Sequence, residues 1–242
     1  GVRVLGVIEK PITAKLLRKM ILRHTLIKPA PKQAALGSTP KFRLDEILSG
    51  VQQNEFEPFF QPKVNFLTGQ IVGAEALARW RHPEYGIIAP YAFITLLEES
   101  GNIDELTFCI LEKAAQARHR WPTCDDDCTV SVNLSLVTLM TDTSIAERIT
   151  TIVRATGLDP RHMVLEITES AALSDVAMAL ENLTRLRMHG FGLSIDDYGT
   201  GYASMQQLMR IPFTELKIDQ SFVTGSSSRS ATHTIIQSSI EM

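Results

Sequence analysis

Hydrophobic residues follow two spacings along most of the chain. Short apolar runs typical of strands occupy residues 58–64, 71–80, 129–134, 163–167, 192–195 and 215–218. Apolar positions three and four residues apart predict helices over 103–120, 144–155, 175–188, 203–209 and 231–242, with a helical lead-in over 42–48. Strands that alternate with helices of about 10–15 residues indicate α/β units on a parallel sheet.

A different pattern precedes this alternation. Residues 2–8 form a predicted buried strand, and the apolar positions after Lys10-Pro11 recur at helical spacing. Residues 28–40 contain three prolines and one glycine, a composition typical of a linker. We therefore predict a strand and helix over 1–27, a linker over 28–41 and the main domain over 42–242.

Two architectures fit the main domain, an open doubly wound sheet and a (β/α) barrel. No Gly-rich phosphate loop follows any predicted strand, so the usual nucleotide fingerprint of the doubly wound fold is absent. In a (β/α) barrel, the active site lies at the C-terminal ends of the strands. Polar residues end one strand after another and favour the barrel; they are Glu75, Asn133, Glu166, Asp196, Asp197, Lys217 and Asp219.

The acidic residues in this set indicate metal ions. A single Asp after a strand is more often a helix cap or a turn residue than a ligand. Five carboxylates at one rim would repel one another and destabilise the fold unless cations lay between them. Oxygen ligands of this kind, together with the Asn133 amide, favour Mg²⁺ or Mn²⁺ over zinc. Two such ions, about 3.5–4 Å apart, can clamp a phosphodiester.

Two basic residues belong to the same rim. Strand periodicity places Glu75, Leu77 and Arg79 on one face, and the planar fork of Arg79 suits a phosphate. Lys217 shares a face with Asp219, and two roles are possible for it. It could orient or deprotonate water beside metal ions, or it could form a salt bridge with Asp219 or Glu215.

The composition and charge of the chain limit the classes of protein to which it can belong. The 242-residue chain has 44% hydrophobic residues and a formal net charge of −3, so we do not expect a long nucleic acid as a partner. No apolar run approaches the roughly 20 residues that span a bilayer, and no signal peptide opens the chain. The three cysteines lack the spacing of a zinc site, and we interpret them as reduced thiols. A cytoplasmic location is therefore expected.

Short motifs also carry a family resemblance. Residues 75–80 (EALARW) resemble the signature of the EAL phosphodiesterases. The resemblance covers roughly residues 42–242, because further motifs occur in that family's order and spacing. These motifs are FQP (60–62), SVNLS (131–135), EITE (166–169), DDYGTGY (196–202) and LKID (216–219).

The resemblance implies a barrel close to the triosephosphate-isomerase type and a chemical activity. The implied reaction is hydrolysis of cyclic di-GMP to linear pGpG with two ions, Mg²⁺ or Mn²⁺. One ion would be bound by Glu75, which is thereby essential for catalysis, and by Asn133, Glu166 and Asp196. Asp197 would bind the second ion, and Asp219 would contribute to the metal site.

Other site residues follow from the same resemblance. Lys217 would activate or hold the attacking water. Glu169 would brace the loop 197–204, and the family couples this loop to homodimerisation through the EAL domain. The residues expected to contact the dinucleotide are Gln61, Leu77 and Arg79.

The chain also departs from the family pattern. Tyr198 stands where Phe is common, and Ala203 where Ser is common. The sequence ends at Met242, after the sixth strand-helix unit. We therefore expect the barrel to lack its last two units, which carry a further metal-site Glu and a ligand-contacting Gln in the family.

The N-terminal segment resembles the end of a response-regulator receiver domain. In that comparison, Lys10-Pro11 after a buried strand matches the receiver's phosphate-sensing Lys and the Pro that follows it. This resemblance implies regulation within a two-component system, by an upstream histidine kinase.

Two alternatives to the enzyme remain open at this stage. The first is an EAL domain without catalysis that acts as a cyclic di-GMP receptor. The metal-ligand positions that are present argue against it, and the expected lack of the C-terminal Glu leaves it open. The second is a purely structural barrel, which would not need the Asp196-Asp197 pair. A cyclase is disfavoured because no GGDEF-like stretch occurs.

Overall fold

The fold is one curved sheet with helices packed against it. The computed structural model describes residues 41–65, 67–121, 128–168, 177–198 and 211–219. Its strands are β1 (Phe56–Val64), β2 (Ile71–His82), β3 (Gly86–Ile88), β4 (Thr129–Asn133), β5 (Met163–Thr168), β6 (Gly192–Tyr198) and β7 (Glu215–Ile218). Its α-helices are α1 (Leu44–Gln52), α2 (Ile94–Glu99), α3 (Ile103–Arg118), α4 (Leu136–Leu139), α5 (Ile145–Ala155) and α6 (Ala177–Met188).

The sheet is mostly parallel, as the alternating pattern predicted. The strand order is β1-β2-β4-β5-β6-β7, with β3 paired to β2. β2, β4, β5, β6 and β7 are parallel, and they are the five strands that were predicted to end in polar residues. The expectation of parallel α/β units is therefore confirmed for this part of the chain.

The first strand departs from that pattern because β1 is antiparallel to β2. Only residues 65–70 connect the two strands, and a parallel crossover needs about a dozen residues or more. The Asn65 side chain accepts the backbone N–H groups of Leu67 and Thr68 at 2.9 and 3.1 Å. Gly69 has φ of +75°, which glycine adopts without steric strain. These features close a tight turn and produce a hairpin.

The sheet curls strongly, as a barrel requires. β1 and β7 lie five strand steps apart in the pairing order. In a flat sheet with strands about 4.8 Å apart, they would be separated by about 24 Å. The ammonium group of Lys63 on β1 nevertheless donates to Glu215 Oε1 on β7 at 2.7 Å. The sheet must therefore bend until its two ends face each other across an interior.

Side chains on β4, β5 and β6 alternate between this interior and the helices. Val130, Leu165 and Leu193 are fully buried in the apolar layer that contains residues of α3, α5 and α6. The neighbouring positions Ser131 and Glu166, in contrast, place polar atoms in the interior. The apolar core therefore lies outside the curled sheet, and the interior is left to charged and polar groups.

The predicted helices that lie in the described residues are confirmed within a few residues of their expected ends. Gly157 and Gly190 follow α5 and α6 with φ of +85° and +104°, and thus end both helices as expected. The short elements β3, α2 and α4 were not predicted, since three to six residues give too little periodicity. The predicted helices 203–209 and 231–242, and the predicted parts 1–27 and 28–40, lie outside the described residues.

Two further expectations concern cysteines and membranes. Cys109 is free, whereas Cys128 is disulfide-bonded, so the interpretation of all three cysteines as reduced thiols is wrong for Cys128. Among the described residues, the structure contains no helix with the length and apolar character needed to cross a bilayer.

Candidate metal centre

The parallel strands deliver the predicted site residues to one end of the sheet. Glu75 lies on β2, Asn133 at the end of β4 and Glu166 on β5. Asp196 and Asp197 lie near the end of β6, Lys217 lies on β7, and Asp219 directly follows β7. The register pairs Asn133 with Glu166 and Thr168 with Asp196, which aligns the ends of neighbouring strands.

Lys217 is the centre of the cluster. Its Nζ donates to Glu75 Oε2 at 3.1 Å, to Glu166 Oε2 at 2.7 Å and to Asp196 Oδ2 at 3.0 Å. The salt-bridge interpretation of Lys217 named Asp219 or Glu215 as the partner. Glu215 pairs with Lys63, and Lys217 forms salt bridges with Glu75, Glu166 and Asp196. Lys217 therefore contacts three of the predicted metal ligands.

The same three carboxylates are close enough to share a cation. One oxygen from each of Glu75, Glu166 and Asp196 lies within 4.8 Å of the other two. Asn133 joins the group by donating its Nδ2 to Glu75 Oε1 at 3.2 Å. Glu75 and Glu166 are 5% and 1% exposed, so both carboxylates have lost most of their contact with water.

Burial and neighbouring charges shift the pKa values of these groups in opposite directions. Burial, followed by the Glu166 carboxylate, raises the pKa of Glu75. Burial also opposes ionisation of Glu166, but the ammonium groups of Lys63 and Lys217 lower its pKa below the usual value. Although burial alone would lower the pKa of Lys217, its three carboxylate neighbours raise it. The cluster therefore holds Lys217 charged and Glu166 ionised.

Asp197 occupies an uncommon backbone conformation. Its φ is +55°, in the left-handed region that Asp and Asn enter more readily than other non-glycine residues. Its N–H donates to Asp196 Oδ1 at 2.9 Å, which fixes the neighbouring carboxylate. Burial, followed by the charges of Asp196 and Asp219, raises the pKa of Asp197. The pair thus presents two carboxylates in a site that has excess negative charge.

The residues predicted to contact a dinucleotide lie on the β1–β2 hairpin. The register places Gln61 directly opposite Glu75, and Phe59 opposite Leu77. Arg79, two residues further along β2, lies with its guanidinium 5.8 Å from the centroid of the Phe59 ring and donates Nη1 to Ala78 O at 2.8 Å. Because side chains that are opposite in register point the same way, Gln61 shares the face of Glu75. Glu169, the predicted loop-bracing residue, lies outside the described residues.

Sequence reasoning missed a second polar layer beneath the cluster. Lys63, which is 1% exposed, donates to Ser131 Oγ at 2.5 Å, to Glu166 Oε1 at 2.9 Å and to Glu215 Oε1 at 2.7 Å. Ser194 Oγ also bonds to Glu215 Oε1 at 3.3 Å. Strand periodicity carried a signal for this layer, since Lys63 lies two residues after Gln61 and Glu215 two residues before Lys217.

With this geometry established, comparison with known proteins identifies the family. The family model described as the EAL domain matches residues 44–242, most of the chain. The chain belongs to the EAL family. The recognition made from the short motifs is thereby confirmed.

Relatives of this EAL domain include two proteins of Pseudomonas aeruginosa. The cyclic di-GMP phosphodiesterase RocR is 31% identical over 224 residues, which are 92% of this chain and 56% of RocR. The bifunctional diguanylate cyclase/cyclic di-GMP phosphodiesterase MucR is 35% identical over 181 residues, 74% of this chain and 26% of MucR. The chain thus spans about half the length of RocR and about a quarter of MucR.

Solved structures give the same fold. The structure of the PaMucR phosphodiesterase in complex with c-di-GMP superimposes with a TM-score of 0.73 and 34% sequence identity, covering 81% of this chain and 79% of that chain. The mixed α/β sheet described above is therefore that of an EAL domain. The expectation that the last two barrel units are absent is not tested by these comparisons.

Proposed function

We propose that this protein hydrolyses cyclic di-GMP to linear pGpG with the help of two divalent cations, Mg²⁺ or Mn²⁺. The observation that carries the proposal is the convergence of Glu75, Glu166 and Asp196 at the end of the parallel strands of an EAL domain. The names of RocR and MucR support the reaction, and the c-di-GMP complex of PaMucR supports the substrate.

The charge of the site suits two divalent ions. When all groups are ionised, six carboxylates share the two layers with two ammonium groups, which leaves an excess of four negative charges. Burial raises the pKa values of Glu75 and Asp197, and neighbouring carboxylates of this excess raise them further. Two divalent cations supply four positive charges. The six acids are Glu75, Glu166, Asp196, Asp197, Glu215 and Asp219, and the two bases are Lys63 and Lys217.

The clustered residues would have distinct roles in binding the cations and orienting the water. Bound cations would neutralise charge on the phosphodiester and activate the attacking water. Glu75, Glu166 and Asp196 would hold one cation, with Asn133 offering its amide oxygen while its N–H groups steady Glu75. Asp197 would hold the second cation, with a contribution from Asp219. Lys217, which already contacts the three shared carboxylates, would orient the water.

The β1–β2 hairpin would bind the dinucleotide. Arg79 offers a guanidinium that suits a phosphate, and Gln61 and Leu77 flank Glu75 on the same face. Phe59 is 41% exposed opposite Leu77 and adds an aromatic surface on which a guanine base could stack. Together these side chains would place a phosphodiester beside the carboxylate cluster.

The variant Glu75→Gln tests the proposal directly. It keeps the volume of the side chain and removes one carboxylate from the cluster. We expect hydrolysis to fall by at least about 100-fold, because one cation keeps only a neutral amide oxygen in place of a charged ligand. The free energy of unfolding should stay close to that of the parent, since the raised pKa of Glu75 shows that its charge is not a source of stability. The measurements are product formation resolved by chromatography and denaturant unfolding.

A matched control is Glu181→Gln, on the outer surface of α6, where Glu181 pairs with Arg185. It should hydrolyse at the parental rate. Near-parental turnover by a folded Glu75→Gln variant would refute the metal role of Glu75. If the parent binds cyclic di-GMP with measurable affinity but forms no pGpG, the protein is a receptor instead.

We also infer regulation by a receiver domain and an upstream histidine kinase, together with homodimerisation through the EAL domain. The alignment with RocR covers 92% of the chain, more than residues 44–242, and so includes part of the segment that carries Lys10-Pro11. A protein that contains an intact receiver should change its rate of hydrolysis on phosphorylation. An unchanged rate in an active, phosphorylated protein would count against this coupling. The cytoplasmic location stays a prediction.

A further inference from the structure

Lys63 is a fully buried lysine that the proposed reaction does not use. Lysine is almost never buried without partners, because taking its charge out of water is unfavourable. Lys63 extends from β1 into the interior and meets three partners on three other strands, Ser131 on β4, Glu166 on β5 and Glu215 on β7. All three protons of its ammonium group are therefore used.

Glu166 is held at both oxygens by different lysines. Oε1 accepts from Lys63 at 2.9 Å, and Oε2 accepts from Lys217 at 2.7 Å. Oε2 is the oxygen on the side of Glu75 and Asp196, because Lys217 contacts all three residues. With Oε1 turned into the lower layer, Glu166 faces the cation site with one defined oxygen.

We propose that Lys63 is a positioning residue: by holding Oε1 of Glu166, it directs Oε2 to the divalent cation shared with Glu75 and Asp196. Glu166 is therefore a ligand through one oxygen only. The inference rests on the proposed function in assuming that a cation binds at this cluster. It assigns a role to Lys63, which also pairs with the partly buried Glu215 at 2.7 Å below the site.

The loss of Lys63 should change the cation affinity in opposite directions, depending on whether Lys63 acts through its charge or by positioning Glu166. Removing a positive charge close to a cation site should strengthen cation binding if charge alone matters. Removing the group that orients a ligand should weaken it, as loss of hydrogen bonds to metal ligands does by about 10–100-fold. The direction of the change in cation affinity therefore separates the two roles.

The test is Mn²⁺ binding to the full chain, measured by calorimetry without nucleotide. The variant Lys63→Met should bind Mn²⁺ at least about tenfold more weakly than the parent. The control is Lys113→Met: Lys113 also anchors β1, but it donates to Phe56 O, at the opposite end of the strand from Lys63. Its Mn²⁺ affinity should equal that of the parent. A folded Lys63→Met variant that binds Mn²⁺ as tightly as the parent, or more tightly, overturns the proposal.

A double variant covers the case in which Lys63→Met fails to fold. Lys63→Met leaves the partly buried Glu215 without its lysine partner, whereas Lys63→Met with Glu215→Gln removes both charges of the pair. The double variant should fold and should also bind Mn²⁺ weakly, because Oε1 of Glu166 is still not held. Parental affinity in the double variant would overturn the proposal, since it would assign the effect to the charge of Glu215.

The outcomes also separate this inference from the proposed function. A parent that binds Mn²⁺ but forms no pGpG contradicts hydrolysis, while the comparison of Mn²⁺ affinities still decides the role of Lys63. A parent that binds no Mn²⁺ overturns the positioning role itself.

Discussion

At the scale of single residues, Asp197 combines a strained backbone with a charged side chain at the candidate metal centre. Its positive φ is tolerated because a short Asp side chain can enter the left-handed region. Its carboxylate has a raised pKa because it is partly buried beside Asp196 and Asp219. The backbone conformation should affect stability and the charge should affect hydrolysis, and two substitutions can distinguish the two effects.

Asp197→Asn should remove the charge and keep the conformation, because Asn also adopts positive φ. We expect the free energy of unfolding to stay near the parental value and hydrolysis to fall by at least about 100-fold, through loss of a charged cation ligand. Asp197→Val should lose activity and also about 1–3 kcal/mol of stability, since a β-branched residue is strained at this φ. Denaturant unfolding and product formation measure the two effects. Equal stability of the two variants would contradict the backbone account.

At the scale of elements, the close approach of β2 and β4 sets the positions of Glu75 and Asn133. Gly73 pairs with Thr129 at the start of this contact, and a Cβ added at Gly73 would overlap the Thr129 carbonyl oxygen. The carbonyl belongs to the backbone and cannot move aside without shifting the strand. The sequence motif around Glu75 therefore depends on a glycine two residues earlier.

Gly73→Ala should lower the free energy of unfolding by about 1–3 kcal/mol, as overpacking does in a closely packed interior. The matched control is Gly192→Ala, where the nearest atom to the added Cβ is a side-chain methyl of Val164 at 2.9 Å, which can yield more easily. Chemical denaturation of both variants measures the difference. A smaller loss in Gly73→Ala than in Gly192→Ala would contradict this account of the β2–β4 contact.

The turn that leads into β5 gives a prediction for pH dependence. Asp159 caps the short helix Pro160–His162 by accepting the Arg161 N–H at 2.9 Å, and its other oxygen pairs with the Arg161 side chain. The Arg161 side chain, followed by the backbone bond, lowers the pKa of Asp159 from 3.8 to about 2. A lowered carboxylate pKa contributes stability above the unfolded value, and that contribution is lost as pH falls through the folded value.

Asp159→Asn keeps a capping oxygen and removes the charge, so the variant isolates this contribution. The parent should be more stable than the variant at neutral pH. The difference in their free energies of unfolding should shrink as pH falls from about 4 toward about 2. Urea midpoints measured across this range provide the test. A gap that does not change with pH would show that the carboxylate charge contributes nothing to the stability of this turn.

At the scale of the whole molecule, the sequence predicted the five parallel strands and the polar residues at their ends. Local periodicity identifies a strand, and parallel strands align their C-terminal ends at one rim, so both features can be predicted from sequence. The prediction placed Glu75, Glu166 and Asp196 together, and the structure confirms that they meet.

Other features depend on geometry that no local pattern encodes. Lys63 and Glu215 are 152 positions apart and meet only because the sheet curls, so their pairing could not be read from spacing. The antiparallel direction of β1 follows from a short connection whose turn chemistry was not weighed. The sequence therefore predicts the carboxylates at the rim of the site, but not the pairing of Lys63 with Glu215 in the layer beneath it.

We propose that the four excess negative charges of this EAL domain hold two divalent cations for phosphodiester hydrolysis. The most direct measurement is incubation of the full-length protein with cyclic di-GMP, with Mg²⁺, with Mn²⁺ and with a chelator, resolving pGpG from substrate. We expect pGpG with either cation and none with chelator. Equal hydrolysis with chelator, or no pGpG with either cation, would contradict the proposal.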